Sequence, residues 1–364
     1  MKTVVVDADV LGRNRTGDET YVRNLLRELG LLAADAGLRI VAVTRRPDLV
    51  PEGVEPYALA TRVQEARMAW SLPRALRALG ADLCHTQYAL PVRPSCPCVV
   101  TVHDVSYARG DDLMSRKDRL VFRRVVPRAV ARARRVFTVS ERTKRDLVEL
   151  YAVPPEKIVV TPNGVDPLFA PGRASNRLLQ GSSSHSPSAS DTPSDPSNNV
   201  SQGSYVLAVG AVQARKNQLA ALEAARAAGF PLVVAGPEKD TALAAELRRR
   251  GARVEGYVDT ERLVELYRGA ACLVQASRHE GFGLPVVEAM ACGTPVVAVA
   301  EPALVEVAGG AAVVVDEAEL ADGVRRALAE RERLVAAGLE RARSFSWRTS
   351  AERTLAVYRE ILGT

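Results

Sequence analysis

The sequence predicts an α/β protein of two open, doubly wound domains that face each other across an interdomain cleft. Three observations lead there. Short Val-rich runs alternate with longer stretches of helical spacing along nearly the whole chain. The apolar runs are almost continuous, which is the pattern of parallel strands covered on both faces. A Ser- and Pro-rich tract divides the 364 residues into two halves, in keeping with about 150 residues per domain.

In the first half the strand runs are residues 3–7, 39–43, 82–86, 98–102, 135–140 and 157–161. Tyr21, Val22, Leu25, Leu26, Leu29 and Leu32 lie at helical spacing, and 65–79 and 141–150 read the same way. In the second half the strand runs are 205–210, 231–235, 252–256, 271–276, 295–299 and 312–315. Helical stretches at 217–228, 241–250, 260–268 and 284–291 separate them. A last helix over about 347–361 carries Trp347, Leu355, Val357, Tyr358, Ile361 and Leu362. Its apolar face needs a partner, expected on the first domain. The domains therefore read as 1–172, 205–345 and a returning helix in 346–364. Between them, 173–204 is expected to be a disordered linker. Residues 181–204 hold ten Ser, three Pro and one sizeable apolar residue, Val200, too little surface to offset the entropy of ordering.

Composition sets the boundaries of function. Hydrophobic residues at 47 % and charged residues at 25 % exclude a disordered chain, a collagen-like repeat and a polytopic membrane protein. The net charge is +6, and only six of the 49 basic residues are Lys. Arginine pairs two-pronged with carboxylates and phosphates, so nucleic acid, an anionic membrane face or a phosphorylated substrate are all admissible partners. The five cysteines (Cys84, Cys96, Cys98, Cys272, Cys292) are scattered and read as reduced thiols of a cytosolic protein. The start, Met1 to Asp7, is too short and too acidic for a signal peptide. No window approaches the roughly 18 apolar residues of a membrane span. The expected location is cytoplasmic, with room for peripheral contact at the inner face of a membrane.

The most informative stretch runs from Ser277 to Val297. A strand (271–276) leads into a Gly281-Phe282-Gly283 loop, then a helix with Pro285 in its first turn, where a missing N–H costs little. Gly293 ends the helix and a new strand follows. A glycine loop at a helix start presents free N–H groups and the positive end of the dipole, which suits a phosphate. Glu280 and Glu288 flank this anion site. Carboxylates beside a phosphate usually accept hydrogen bonds from sugar hydroxyls; the alternative for Glu288 is a cap or ion pair on the helix surface.

This E-x7-E segment resembles the signature of retaining nucleotide-sugar glycosyltransferases of the GT-B type, with two Rossmann-like domains, in family 4 or "group 1". Further segments carry the likeness in the family's order: Thr16-Gly17-Asp18-Glu19-Thr20-Tyr21, Thr101-Val102-His103-Asp104, Thr138-Val139-Ser140-Glu141, Pro162-Asn163-Gly164-Val165-Asp166, Val209-Gly210-Ala211-Val212-Gln213-Ala214-Arg215-Lys216-Asn217 and Gly256-Tyr257-Val258. The match covers nearly the whole chain outside the Ser-rich tract. It is nearest the mannosyltransferase-B-like branch, whose members build polysaccharides.

The resemblance implies an acceptor domain followed by a nucleotide-sugar-binding domain. Arg215 and Lys216, after a strand end, would neutralise the diphosphate leaving group as its charge develops, so no metal or other cofactor is expected. Asp7-Ala8-Asp9 has metal-ligand spacing but ends the first strand and matches no metal site of the family. Glu288 is expected on the ribose hydroxyls, Glu280 on the sugar ring, and Gly281, Phe282, Gly283 and Leu284 on the phosphates. Val258 completes the donor site. Gly17 would let the first domain's backbone approach donor or acceptor, although Asp18-Glu19 depart from the family's commoner Gly-Ile-Gly form and add negative charge there. His103 would lie near the sugar and the acceptor, to move a proton or bind a hydroxyl. His279 beside Glu280 is a possible helper, whereas His85 reads as structural and His185 lies in the linker.

Residues 116–135 hold nine Lys/Arg and one Asp, interleaved with Leu120, Val121, Phe122, Val125, Val126, Ala129 and Val130. A basic amphipathic helix can lie on anionic lipid. Arg116, Arg119, Arg123 and Arg124 are therefore candidates for the acceptor or membrane side; the alternative is a solvated Arg face. The function so expected is transfer of a sugar, mannose favoured, from GDP-mannose or a UDP-sugar to a glycan or lipid-linked acceptor with retention. Two rivals are a nucleotide-sugar epimerase on the same scaffold and a basic nucleic-acid-binding protein. The Arg-Lys and E-x7-E pair argues against the first. The absence of stacking aromatics beyond Phe122 argues against the second.

Overall fold

The computed structural model describes residues 1–13, 16–109, 116–172 and 203–364. The expected linker lies outside the described residues over 173–202, as does the side chain of Arg116. By its contacts the chain divides into two units. The first holds Met1–Gly164, His279–Phe282 and Phe345–Thr364; the second holds Val165–Arg278 and Gly283–Ser344.

The first unit is built on seven strands: β1 Lys2–Asp7, β2 Leu38–Thr44, β3 Glu55–Ala58, β4 Leu83–Gln87, β5 Cys98–Val102, β6 Val136–Thr138 and β7 Ile158–Val160. They lie in the order β3-β2-β1-β4-β5-β6-β7, all parallel. Val4, Val5, Val41, Val43, Val99, Val100 and Phe137 are fully buried, as strands covered on both faces must be. The order reverses between β1 and β4, so the loops after these strands diverge at the carboxyl edge, where open α/β sheets receive ligands.

Two features depart from the sequence reading. β3 carries no strand signal: Glu55-Pro56-Tyr57-Ala58 has no apolar run, and only Tyr57 is half-buried. It is an edge strand, the one place where a proline costs no ladder hydrogen bond. The continuous helix expected over 65–79 is broken into α-turns at Gln64–Ala66 and Leu72–Ala78, joined by a π-turn at Arg67–Ser71. Pro73 supplies the reason. It has no N–H for the carbonyl four residues back, that of Ala69, while Leu72 N turns to the Arg67 carbonyl and the Met68 carbonyl accepts from Val92 N at 2.9 Å.

The final helix, Trp347–Leu362, belongs to the first unit. Ser350 Oγ donates to the Pro162 carbonyl, the Trp347 and Tyr21 rings lie 6.2 Å apart, and Tyr358 hydrogen-bonds His85 Nδ1. Gly164 is required at this contact, because a Cβ there would overlap the backbone of Trp347.

The second unit carries β8 Val206–Val209, β9 Leu232–Ala235, β10 Arg253–Gly256, β11 Cys272–Gln275, β12 Val296–Val299 and β13 Val313–Val315, in the order β10-β9-β8-β11-β12-β13, again parallel. Here the order reverses between β8 and β11. Helices Gln218–Ala227, Thr241–Arg249, Thr260–Gly269 and Leu284–Ala291 separate the strands. Asp240 and Asp259 cap two of them, accepting from Leu243 N at 2.9 Å and Arg262 N at 2.8 Å. Residues 165–172, expected with the first domain, count with the second unit. Phe169 stacks edge-on against Tyr267 at 5.9 Å, and Arg268 Nε donates to the Ala170 carbonyl at 2.8 Å.

All five cysteines are free thiols. Among the described residues, no helix is long and apolar enough to cross a membrane.

Candidate active site

In the second unit the site residues gather where the strand order reverses. Gly210 follows β8, and its φ of 138° belongs to the range that favours glycine. A Cβ on Gly210 would come within 3.2 Å of Lys216 Cε. The glycine therefore lets the Lys216 side chain lie across the end of β8. Arg215 and Lys216 sit in a single 3-10 turn, Ala214–Lys216, after that strand. The Arg215 carbonyl accepts from Arg278 N at 3.0 Å, which joins the cationic turn to the loop leaving β11.

That loop runs into the helix Leu284–Ala291. Gly283, at φ 108°, is the N-cap and Pro285 falls in the first turn, as the spacing predicts. Among the described residues, no hydrogen bond from the N–H groups of Gly283 and Leu284 to another group of the second unit is found, and both lie at the positive end of the helix. Glu288 sits one turn in, buried rather than at the helix surface. Tyr267 OH donates to its Oε2 at 2.8 Å. Burial raises the Glu288 carboxyl to about 7, the Asp166 charge adds to the rise, and the Tyr267 hydrogen bond opposes it. Sequence reasoning missed Tyr267. The signal it offered was its type, since a buried tyrosine needs a partner for its hydroxyl. Val258 follows β10 and is half-buried.

His103, Gly17, His279 and Glu280 belong to the first unit. His103 follows β5, is buried, and pairs through Nε2 with Gln87 Oε1 at 3.0 Å. The segment 279–282 lies against it. A Cβ on Gly281 would overlap the His103 carbonyl oxygen and come within 3.1 Å of Asp104 Cβ. The Gly281 carbonyl accepts from Ser140 Oγ at 2.6 Å, and Thr143 Oγ1 donates to the His103 carbonyl at 3.2 Å. Phe282 meets Phe345 edge-on at 5.5 Å. His279 and Glu280 are both buried. Within the first unit Gly281 lies against His103; within the second, the Arg215 carbonyl ties the Arg-Lys turn to the loop that leads into the helix carrying Leu284 and Glu288.

Gly17 is exposed in the first helix, Thr16–Ala33, and a Cβ there would meet nothing within 4 Å. Of the two acids beside it, Glu19 is buried: it accepts from Gly12 N at 2.9 Å and from Arg23 at 2.7 Å. Its charge is therefore paired locally, by the Gly12 amide and the Arg23 guanidinium.

Asp7 and Asp9 face guanidiniums. Arg67, itself buried in the π-turn, pairs with both, and Asp9 also pairs with Arg13 and Arg45. Burial raises the Asp7 carboxyl, against the Arg67 and Arg13 charges. His85 is buried between Thr101 Oγ1 (2.7 Å) and Tyr358, and burial lowers it to about 3, which keeps it neutral.

The basic segment forms the helix Arg116–Arg132. Val126, Ala129 and Val130 face the core, and Phe122 turns in against Tyr88 and Tyr107 at 5.2 Å each. Leu120 (52 %) and Val121 (40 %) stay exposed beside Arg123 and Arg124.

Known proteins share both the sequence pattern and the architecture. The family model "Glycosyltransferase Family 4" matches residues 15–168, and "Glycosyl transferases group 1" matches residues 191–343. An O-antigen chain mannosyltransferase B of Escherichia coli is 29 % identical over 88 % of this chain and 83 % of its own. A D-inositol 3-phosphate glycosyltransferase of Acidothermus cellulolyticus is 32 % identical over 77 % of this chain and 67 % of its own. Among solved structures, the Anabaena Alr3699/HepE protein in complex with UDP-glucose superposes with a TM-score of 0.71 at 16 % identity, over 99 % of both chains. The fold is that of the GT-B glycosyltransferases. The chain belongs to the group 1 glycosyltransferases of family 4.

Proposed function

We propose that the chain transfers a hexose, mannose favoured, from a nucleoside-diphosphate sugar to a glycan or lipid-linked acceptor with retention and without a metal ion. The observation that carries this reading is in the second unit. The Arg-Lys turn follows β8, and the helix carrying the buried Glu288 follows β11, the two strands between which the sheet order reverses. Glu288 takes the ribose hydroxyls, the Gly283 and Leu284 amides take the phosphates, and Arg215 and Lys216 neutralise the diphosphate as it leaves. Gly281 and Phe282 add their amides, and Val258 borders the base. Glu280 and His103 hold the sugar and the acceptor hydroxyl. The bond from the anomeric carbon to the phosphate oxygen breaks as the acceptor oxygen bonds to the same face, and the acceptor proton passes to the departing phosphate. Mannose is favoured by the name of the Escherichia coli relative. A UDP-sugar donor is supported by the Anabaena protein, whose structure is a complex with UDP-glucose.

The test is a thermal-shift panel of GDP, UDP, ADP and their sugars, followed by transfer assays with the best donor. A ligand bound at about one hundred times its Kd stabilises the native state by about 2.7 kcal/mol, so one base is expected to stand out. A panel in which no nucleotide raises the Tm would sink the assignment.

The exposed Leu120, Val121, Arg123 and Arg124 face further supports a lipid-linked acceptor, through contact with an anionic membrane. Replacing Arg123 and Arg124 with Glu is expected to abolish co-sedimentation with anionic phospholipid vesicles and to spare slow donor hydrolysis. Equal loss of hydrolysis would count against a membrane or acceptor role.

A further inference from the structure

The two ring nitrogens of His103 have different surroundings. Gln87 ends β4, the strand next to β5. Its Oε1 is 3.0 Å from His103 Nε2, and its own Nε2 faces the Asp7 carbonyl at 3.5 Å. A backbone carbonyl only accepts, so the amide nitrogen belongs on the Asp7 side. Turning the amide over would set two oxygens against each other. The amide oxygen facing the imidazole also only accepts, so the proton must sit on His103 Nε2. The lone pair is then on Nδ1, for which no hydrogen bond is found among the described residues.

The ring is held from both sides. Tyr21 meets it edge-on at 4.6 Å and Tyr88 lies 5.6 Å away. Tyr88 itself has φ 58°, uncommon for a residue with a side chain. This left-handed turn is secured by Tyr88 N donating to the Thr101 carbonyl at 2.9 Å and Ala89 N to the Gln87 carbonyl at 2.6 Å. Local strain is thus maintained at the residue following Gln87, as it often is beside functional groups.

We propose that Gln87 is a positioning residue that holds His103 as the Nε2–H tautomer, so that Nδ1 accepts a hydrogen bond from a hydroxyl of the sugar or the acceptor. The hydroxyl rests on the reading of His103 given above; the tautomer does not. An accepting imidazole must be neutral. Burial pulls His103 below its ordinary value, against the pull of Asp18 on the first helix and Asp104 on its own loop. His85 on β4 is neutral, and burial holds the Tyr21 hydroxyl above its ordinary value.

The experiment uses the full chain labelled with 15N and long-range proton–nitrogen correlations of its imidazoles, with His103 assigned by loss of signal in His103→Gln. At about pH 8, the wild type is expected to show a protonated Nε2 and a bare Nδ1. Gln87→Leu is expected to mix the tautomers and lower kcat/KM by about tenfold to a hundredfold. Gln87→Glu keeps an acceptor toward His103 Nε2, so the tautomer should survive, while its second oxygen against the Asp7 carbonyl should lower the Tm. Its charge favours the imidazolium, so the acid limb of kcat/KM should move up by about one pH unit. A protonated Nδ1 in the wild type overturns the proposal, and so does Gln87→Leu with both tautomer and rate unchanged. If the tautomer responds as stated but His103→Gln transfers sugar at the normal rate, the hydroxyl-binding role falls while the Gln87 assignment stands.

Discussion

Lys216→Ala is expected to slow sugar transfer by about a hundredfold to a thousandfold, the usual cost of removing one preorganised charge partner from a developing anion. The leaving diphosphate gains charge as the glycosidic bond breaks, and an ammonium held nearby offsets it without any reorganisation at that moment. Gly210 is the device that holds it, since its lack of a side chain lets the Lys216 stem cross the end of β8. Lys216 is half-exposed, so the variant should keep its Tm and its circular dichroism. The loss should fall mainly on kcat, because the charge partner matters most in the transition state. Transfer at the wild-type rate in a folded Lys216→Ala protein would remove the cation pair from the mechanism.

The second large effect is expected at Glu288, and pH separates its two consequences. Its carboxyl lies at about 7 when buried without ligand. Ribose hydroxyls donate to the ionised form, so donor affinity should strengthen as pH rises through 7 and weaken about tenfold per unit below it. Stability runs the other way. The folded chain prefers the neutral carboxyl, so that preference contributes fully below the ordinary carboxylate range and is lost as pH rises through about 7. The loss is on the order of 3 kcal/mol at about 1.4 kcal/mol per unit. Glu288→Gln is expected to flatten both profiles, to raise the Tm of the unliganded protein at about pH 8, and to lose transfer about a hundredfold. Calorimetric titration of the donor between about pH 6 and about pH 8 checks this; a wild-type affinity flat across that window would contradict it. Tyr267→Phe should move the midpoint upward, because the Tyr267 hydroxyl stabilises the ionised form through the 2.8 Å hydrogen bond.

Twelve of the thirteen strands were legible, and all of these but the edge strand β10 are short, largely buried runs that report their own burial. The edge strand Glu55–Ala58 was not, because an edge with little to cover needs no apolar pattern. The helix start at Gly283 and Pro285 was legible for a local reason: a left-handed cap and a fixed proline φ are properties of the residues themselves. The π-turn at Arg67–Ser71 was half-legible. Pro73 marks a break in the ladder, but its consequence depends on Val92, which arrives from another part of the chain.

The sequence by itself determined the two parallel sheets, the glycine and proline positions at a helix start, and the family. These follow from backbone preference and from periodic burial, both of which act over a few residues. Only the tertiary structure decided the ionisation of Glu288, the proton position on His103 and the partners of Asp7 and Asp9. Each depends on desolvation and on a polar atom from a distant part of the chain: Tyr267 lies 21 residues from Glu288, and Gln87 lies 80 from Asp7. No local pattern encodes such pairs, because the energy that sets them exists only once water has been excluded from between them.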